Sequence, residues 1–213
     1  MFRDEDFNLV LAAQGVIDFA DVRHISEIHP GSVCINSHVG QGLDRTDVHQ
    51  GSIGDCWLLS ALSSIANSSY PFRDLIDDGR SHLGITVFNF PSCPITVDHF
   101  ILVGHDGKMI GPQLSPESEY WPILFEKAVI KWMASPFCYD EIKMFNQKRR
   151  FGKVFPFGPS YIDINGGFPR WLFMIVFGVR IDAISTKSLT SCSEFLHVDG
   201  YETIACACTS AEH

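Results

Sequence analysis

The residues able to do chemistry gather in one stretch, Gln50-Gly51-Ser52-Ile53-Gly54-Asp55-Cys56-Trp57-Leu58-Leu59-Ser60-Ala61-Leu62. Gly51 and Gly54 let the backbone turn sharply. Leu58, Ala61, Leu62, Ile65 and Ala66 then fall on one face of a helix. Asp55 is placed to cap that helix, its carboxylate accepting from an N–H of the first turn. Cys56 becomes the first helical residue, where the dipole and the free N–H groups favour a thiolate. A thiolate that cleaves an amide also needs oxyanion donors, a base, and a group that orients the base. Gln50 lies six residues earlier, and its side-chain amide can donate to an oxyanion beside the Cys56 N–H. Helix position alone leaves a second reading open: Cys56 as a small apolar core residue and Gln50 as a solvated loop residue.

These residues need a folded frame, and composition supplies one. The 213 residues suffice for one large domain or two small ones. Apolar content of 46% and charged content of 19% fit a globular core. A formal charge of −9 argues against a nucleic-acid surface and leaves a cation as a ligand. The seven cysteines, at 34, 56, 93, 138, 192, 206 and 208, show neither zinc-type pairing nor a secretory disulfide framework. Asp4, Glu5 and Asp6 occupy the place where a signal peptide carries basic residues. The longest apolar run, Trp171 to Val179, is too short for a membrane span. The reading is a reducing, cytoplasmic compartment.

In chain order, Leu9 to Phe19 reads as a short helix, and His24 and His29 as surface residues. Residues 30–49 are loop, including Gly40-Gln41-Gly42-Leu43-Asp44-Arg45-Thr46-Asp47. Glycine carbonyls and acids suit a hard cation such as calcium, although an ordinary solvated loop has the same composition. Gly84 to Phe90 and Ile95 to Val103 read as two strands, with His99 at a strand end on the surface. Pro122 opens a helix whose apolar face is Leu124, Phe125, Ala128 and Trp132, with Glu126 and Lys127 as surface charge. Gly167 to Val179 reads as a last helix.

The string Gln-Gly-Ser-Ile-Gly-Asp-Cys-Trp resembles the nucleophile segment of the calpain family of papain-like cysteine proteases. Glu119-Tyr120-Trp121 through Glu126-Lys127-Ala128 resembles that family's Glu-x-Trp and Glu-Lys-Ala helix, and Gly158-Pro159-Ser160-Tyr161 and Gly166-Gly167 resemble its Gly-Ser-Tyr and Gly-Gly. The resemblance implies that Cys56 is the nucleophile and Gln50 the oxyanion donor. It implies a calcium site built from the Gly40 and Gly42 carbonyls and the Asp47 and Glu119 carboxylates. The implied fold is α+β, a mainly helical first lobe with a short antiparallel β segment. The implied organisation is an N-terminal segment over 1–29, the first lobe over 30–183, and an unmatched tail over 184–213. Residues 134–158 fit the family poorly, as a surface loop or as unspliced sequence, and include the basic run Lys148-Arg149-Arg150.

In calpains the catalytic His and Asn lie on a second lobe, in Gly-His-Ala-Tyr and Asn-Pro-Trp segments, and neither string occurs here. The expectation is a calcium-dependent cysteine endopeptidase domain acting on protein substrates. As an isolated, truncated chain it is expected to be inactive until a second lobe or partner chain completes the cleft. The alternative is a pseudoprotease fragment that binds calcium and a protein partner. A weaker reading places a soft metal on Cys206 and Cys208, which share the tail with Cys192 and His197.

Overall fold

The computed structural model describes residues 1–36, 43–151 and 158–181. Gly40 and Gly42 therefore lie outside the described residues, as do Cys192, His197, Cys206 and Cys208. The fold is α+β, as the sequence leads one to expect.

The chain opens with α1 (Leu9–Ala13), capped by the Asn8 side chain, and so shorter than the run to Phe19. Strand β1 (Asp21–His24) leads straight into α2 (Ile25–Ile28). The nucleophile stretch forms α3 (Cys56–Ala66). Five strands follow a simple antiparallel plan. β2 (Ile76–Asp77), β3 (Ile85–Phe90) and β4 (Cys93–Asp98) make one sheet in that order. β5 (Phe100–Val103) instead pairs with β1, in a register that sets Asp21 against Val103 and His24 against Phe100. The run read as a single strand to Val103 thus divides at His99, where the chain passes from one sheet to the other.

Helix α4 (Trp121–Met133) takes Pro122 into its first turn, where a missing N–H costs nothing. All but one of its residues are buried, and it is the central strut of the core. Phe125 stands edge-on to Phe72, Phe88 and Phe90, with ring centroids 5.4, 5.4 and 5.7 Å away. Helices α5 (Asp140–Arg150) and α6 (Pro169–Phe177) complete the packing.

Burial is the common cause of a further set of corrections to the sequence expectations. Lys127 and Glu126 are each 1% exposed, not surface charge. Lys127 Nζ donates to the Asp98 carboxylate and to the carbonyls of Asp98 (2.6 Å) and Phe100 (2.9 Å), so all three donors are used inside. His24 is buried, and its Nδ1 sits 2.7 Å from Ser26 Oγ at the start of α2. His99 is fully buried. Its Nε2 lies 2.9 Å from Thr86 Oγ1 and its Nδ1 3.2 Å from the Tyr120 hydroxyl. Within the stretch 134–158 read as a surface loop, residues 140–150 form α5 instead, which buries Ile142 and Asn146, and Glu141 accepts from Trp171 Nε1 at 2.8 Å.

The buried His99 gives the fold a pH dependence. Burial, and next the Lys127 charge, lower its pKa from 6.5 to about 3. The unfolded chain takes up this proton below pH 6.5 while the native state refuses it, so stability is complete above 6.5 and falls as pH drops toward 3. The slope from this one group is about 1.4 kcal/mol per pH unit. Urea unfolding of wild type and His99→Gln across that window isolates it. Parallel stability curves for the two proteins would refute the assignment.

Candidate active site

The loop ahead of α3 is held from three sides. On the first side, Gly51 lies against the Gly111 carbonyl, so close that a Cβ on Gly51 would sit 1.7 Å from that oxygen. Gln113 fixes the same carbonyl with its Nε2 at 2.8 Å, and its backbone N–H donates to His49 O at 3.0 Å. On the second side, Gly166 N–H donates to Gly54 O at 2.7 Å, and Trp57 Nε1 to Ile164 O at 2.8 Å. The third side is the buried Asp55 side chain beneath the loop.

Cys56 is the first residue of α3 and is solvent-exposed. Leu58 and Leu59 N–H groups turn back to Asp55 O, whereas those of Cys56 and Trp57 precede the first helical bond and have no helical acceptor. An exposed sulfur therefore stands beside orphan donors, the arrangement an oxyanion needs. Gln50 is exposed, and its Nε2 donates to Ile53 O at 3.3 Å. The loop is thus closed on itself, with the second Nε2 hydrogen free for another acceptor. Asp55 caps α3 by position only. Its carboxylate makes no capping bond; it points into the core toward Glu126, which is why the capping expectation fails.

Of the four residues read as metal ligands, Asp47 and Glu119 are described, and the fold brings them together. Both are buried. Asp47 Oδ2 accepts from Asp44 N–H (2.9 Å) and Trp121 Nε1 (3.2 Å), and Glu119 accepts from Asn36 N–H. Burial raises the pKa of Glu119, and the neighbouring Asp47 carboxylate raises it further. Two buried acids in contact repel unless a proton or a cation lies between them, so their chemistry fits a hard cation. Among the described residues no three His, Cys, Asp or Glu side chains converge on one point.

Three supporting residues escaped the sequence reading. Arg149, in the poorly matching segment, donates from Nη1 to Gly166 O (2.9 Å) and Ile162 O (3.3 Å), bracing the turn that touches Gly54. Gly111 carries no motif. Glu126 had a readable signal: Pro122, Val129 and Met133 share its helical face, so α4 is apolar all round and must be buried. A cavity of about 320 Å³ opens beside the loop, lined by Val16, Ile17, Ser52, Ile53, Gly54 and Asn165.

An exposed cysteine thus stands at a helix N-terminus, behind a glycine turn bearing a glutamine amide. The calpain family cysteine protease profile matches residues 2–161, and the chain belongs to that family. The match begins ahead of residue 30, where the sequence resemblance starts. The calpain-1 catalytic subunit of Homo sapiens is 26% identical over 211 residues, which is 91% of this chain and 28% of that protein. Calpain-B of Drosophila melanogaster is 30% identical over 151 residues, 67% of this chain and 16% of that protein. Calpain-A of the same fly is 32% identical over 129 residues, 57% of this chain and 15% of that protein. The chain therefore spans less than a third of the length of these relatives.

Proposed function

We propose that this chain is the nucleophile-bearing lobe of a calcium-dependent cysteine endopeptidase acting on protein substrates. The observation that carries the reading is the exposed Cys56 on the open end of α3, framed by Gln50 and the glycine turn. The Cys56 thiolate attacks the scissile carbonyl carbon, and the carbonyl π electrons move to oxygen. The Cys56 N–H and the Gln50 amide receive that oxyanion. Collapse expels the amine, which must take a proton from an imidazole, and water then releases the acid from the thioester. Three of the six described imidazoles are engaged elsewhere: His24 bonds Ser26, His99 bonds Thr86 and Tyr120, and His105 bonds Asp18. A second lobe or partner chain would supply the imidazole.

Asp47 and Glu119 would hold calcium together with the Gly40 and Gly42 carbonyls. The ion would neutralise the two carboxylates and tie the loop before Cys56 to the segment before α4. Cys34, Cys56, Cys93 and Cys138 are all free thiols, which supports a reducing, cytoplasmic setting. If no partner supplies an imidazole, the Asp47–Glu119 contact favours the second reading, a calcium- and partner-binding pseudoprotease.

The test is hydrolysis of a fluorogenic peptide, with and without calcium, by the chain alone and mixed with a calpain-family lobe carrying the His and Asn. The chain alone should show no turnover and the mixture calcium-stimulated turnover. Cys56→Ser should abolish it, and Gln50→Ala should lower kcat by about 10²–10³, the usual cost of one oxyanion donor. Turnover that survives Cys56→Ser would reject the nucleophile assignment.

A further inference from the structure

The Asp55 carboxylate is 1% exposed, directly before the nucleophile, and no residue other than Glu126 and its own backbone is a hydrogen-bond partner to it. Glu126, at the centre of α4 and also 1% exposed, has one oxygen without a hydrogen-bond donor. The two carboxyl groups face each other as hydrogen-bond partners. A buried carboxylate without a donor costs too much to persist, and two facing anions cost more. The donor left to Asp55 is a proton shared within the pair itself. Glu126 also reaches the far end of the loop. A Cβ built on Gly111 would lie 3.3 Å from Glu126 Oε1, and the Gly111 carbonyl is the surface on which Gly51 rests. One side chain thus touches the supports of both ends of the 50–55 loop.

We propose that Glu126 is a positioning residue for the nucleophile: as a carboxylic acid it donates one shared proton to Asp55 and holds the 50–55 loop from below. The proposal rests on Cys56 being the nucleophile. Two further titratable side chains act on Glu126. Tyr161, from the turn before α6, is hydrogen-bonded to Glu126. Lys127, next along α4, is engaged with Asp98 of β4. Burial first, and the Asp55 charge second, keep Glu126 protonated well above the usual carboxylate range. Loss of the shared proton at high pH would set two anions face to face and loosen the loop.

The test uses the full chain and needs no proteolysis. Wild type should show an infrared band of a buried carboxylic acid near neutral pH that disappears in Glu126→Gln. Amide hydrogen exchange of residues 51–56, corrected for intrinsic rates, should show a one-proton step with pH in wild type. Glu126→Gln can still donate to Asp55 but cannot ionise, so it should keep the protection and lose the step. Glu126→Ala leaves Asp55 without a side-chain donor and should speed exchange of these amides about tenfold. Should Glu126→Ala fail to fold, Glu126→Gln decides alone. Persistence of either the acid band or the pH step in Glu126→Gln, or unchanged exchange in Glu126→Ala, overturns the proposal. Because these readouts are independent of turnover, an inactive chain with the predicted step would reject the protease reading and leave the proton-sharing strut standing. Turnover with no step would do the reverse.

Discussion

Lys127→Ala should destabilise the chain by about 3–5 kcal/mol, the usual cost of stripping a buried charge of its partner. The Lys127 ammonium satisfies the Asp98 carboxylate and two strand carbonyls at the point where β4 ends and β5 begins. Removing it leaves Asp98, itself buried, with only the Asp4 and Phe100 N–H groups. A domain of this size is stable by about 5–15 kcal/mol in total, so the variant should unfold at much lower urea. Asp98→Asn in the Lys127→Ala background should recover part of the loss, because the stranded charge is gone. Replacing Arg23, whose pair with Asp21 is half exposed, should leave the urea midpoint unchanged, since solvent screens that pair. If Lys127→Ala unfolds at the wild-type midpoint, Lys127 is not the internal counter-ion of this junction.

The same junction shows where sequence reading stops. The glycine turn and the start of α3 at Cys56 were legible because each depends on neighbours within a few residues. The contact of Asp47 with Glu119 was reached only through the family resemblance, since nothing local joins them. His99, Glu126 and Lys127 were read as surface residues because ionisable types usually are. What buries them lies far along the chain: Thr86 and Tyr120 for His99, Asp55 for Glu126, Asp98 for Lys127. Strand β1 escaped because four residues carry too little alternation to declare a strand without β5 beside them. Helix α5 escaped for a different reason. It is polar and basic overall, and beside the buried Ile142 and the Phe145–Trp171 contact it is held by specific bonds: Glu141 to Trp171, Arg149 to Gly166, and Arg150 Nε to Asp163 at 3.0 Å.

Gly51→Ala should do at the site what Lys127→Ala does to the fold. The added Cβ would meet Gly111 O at 1.7 Å and Gly111 C at 2.5 Å. Both are backbone atoms, so no side-chain rotation relieves the clash, and one chain segment must move by more than an ångström. Overpacking of this kind costs about 1–3 kcal/mol or more. The functional cost should be larger. Gly51 separates Gln50 from the rest of the turn, so the shift moves the amide relative to Cys56. A misplacement of about 1 Å is worth about 10² in rate for a group that must meet a transition state. Gly79→Ala is the control, because its Cβ would meet only Asp77 Oδ1, at an ordinary 3.4 Å. It should leave both stability and exchange near wild type. Exchange of the 51–56 amides and turnover in the completed enzyme read the two costs separately. A Gly51→Ala protein with wild-type exchange and wild-type kcat would mean that the Gly51–Gly111 contact does not set the geometry of the nucleophile loop.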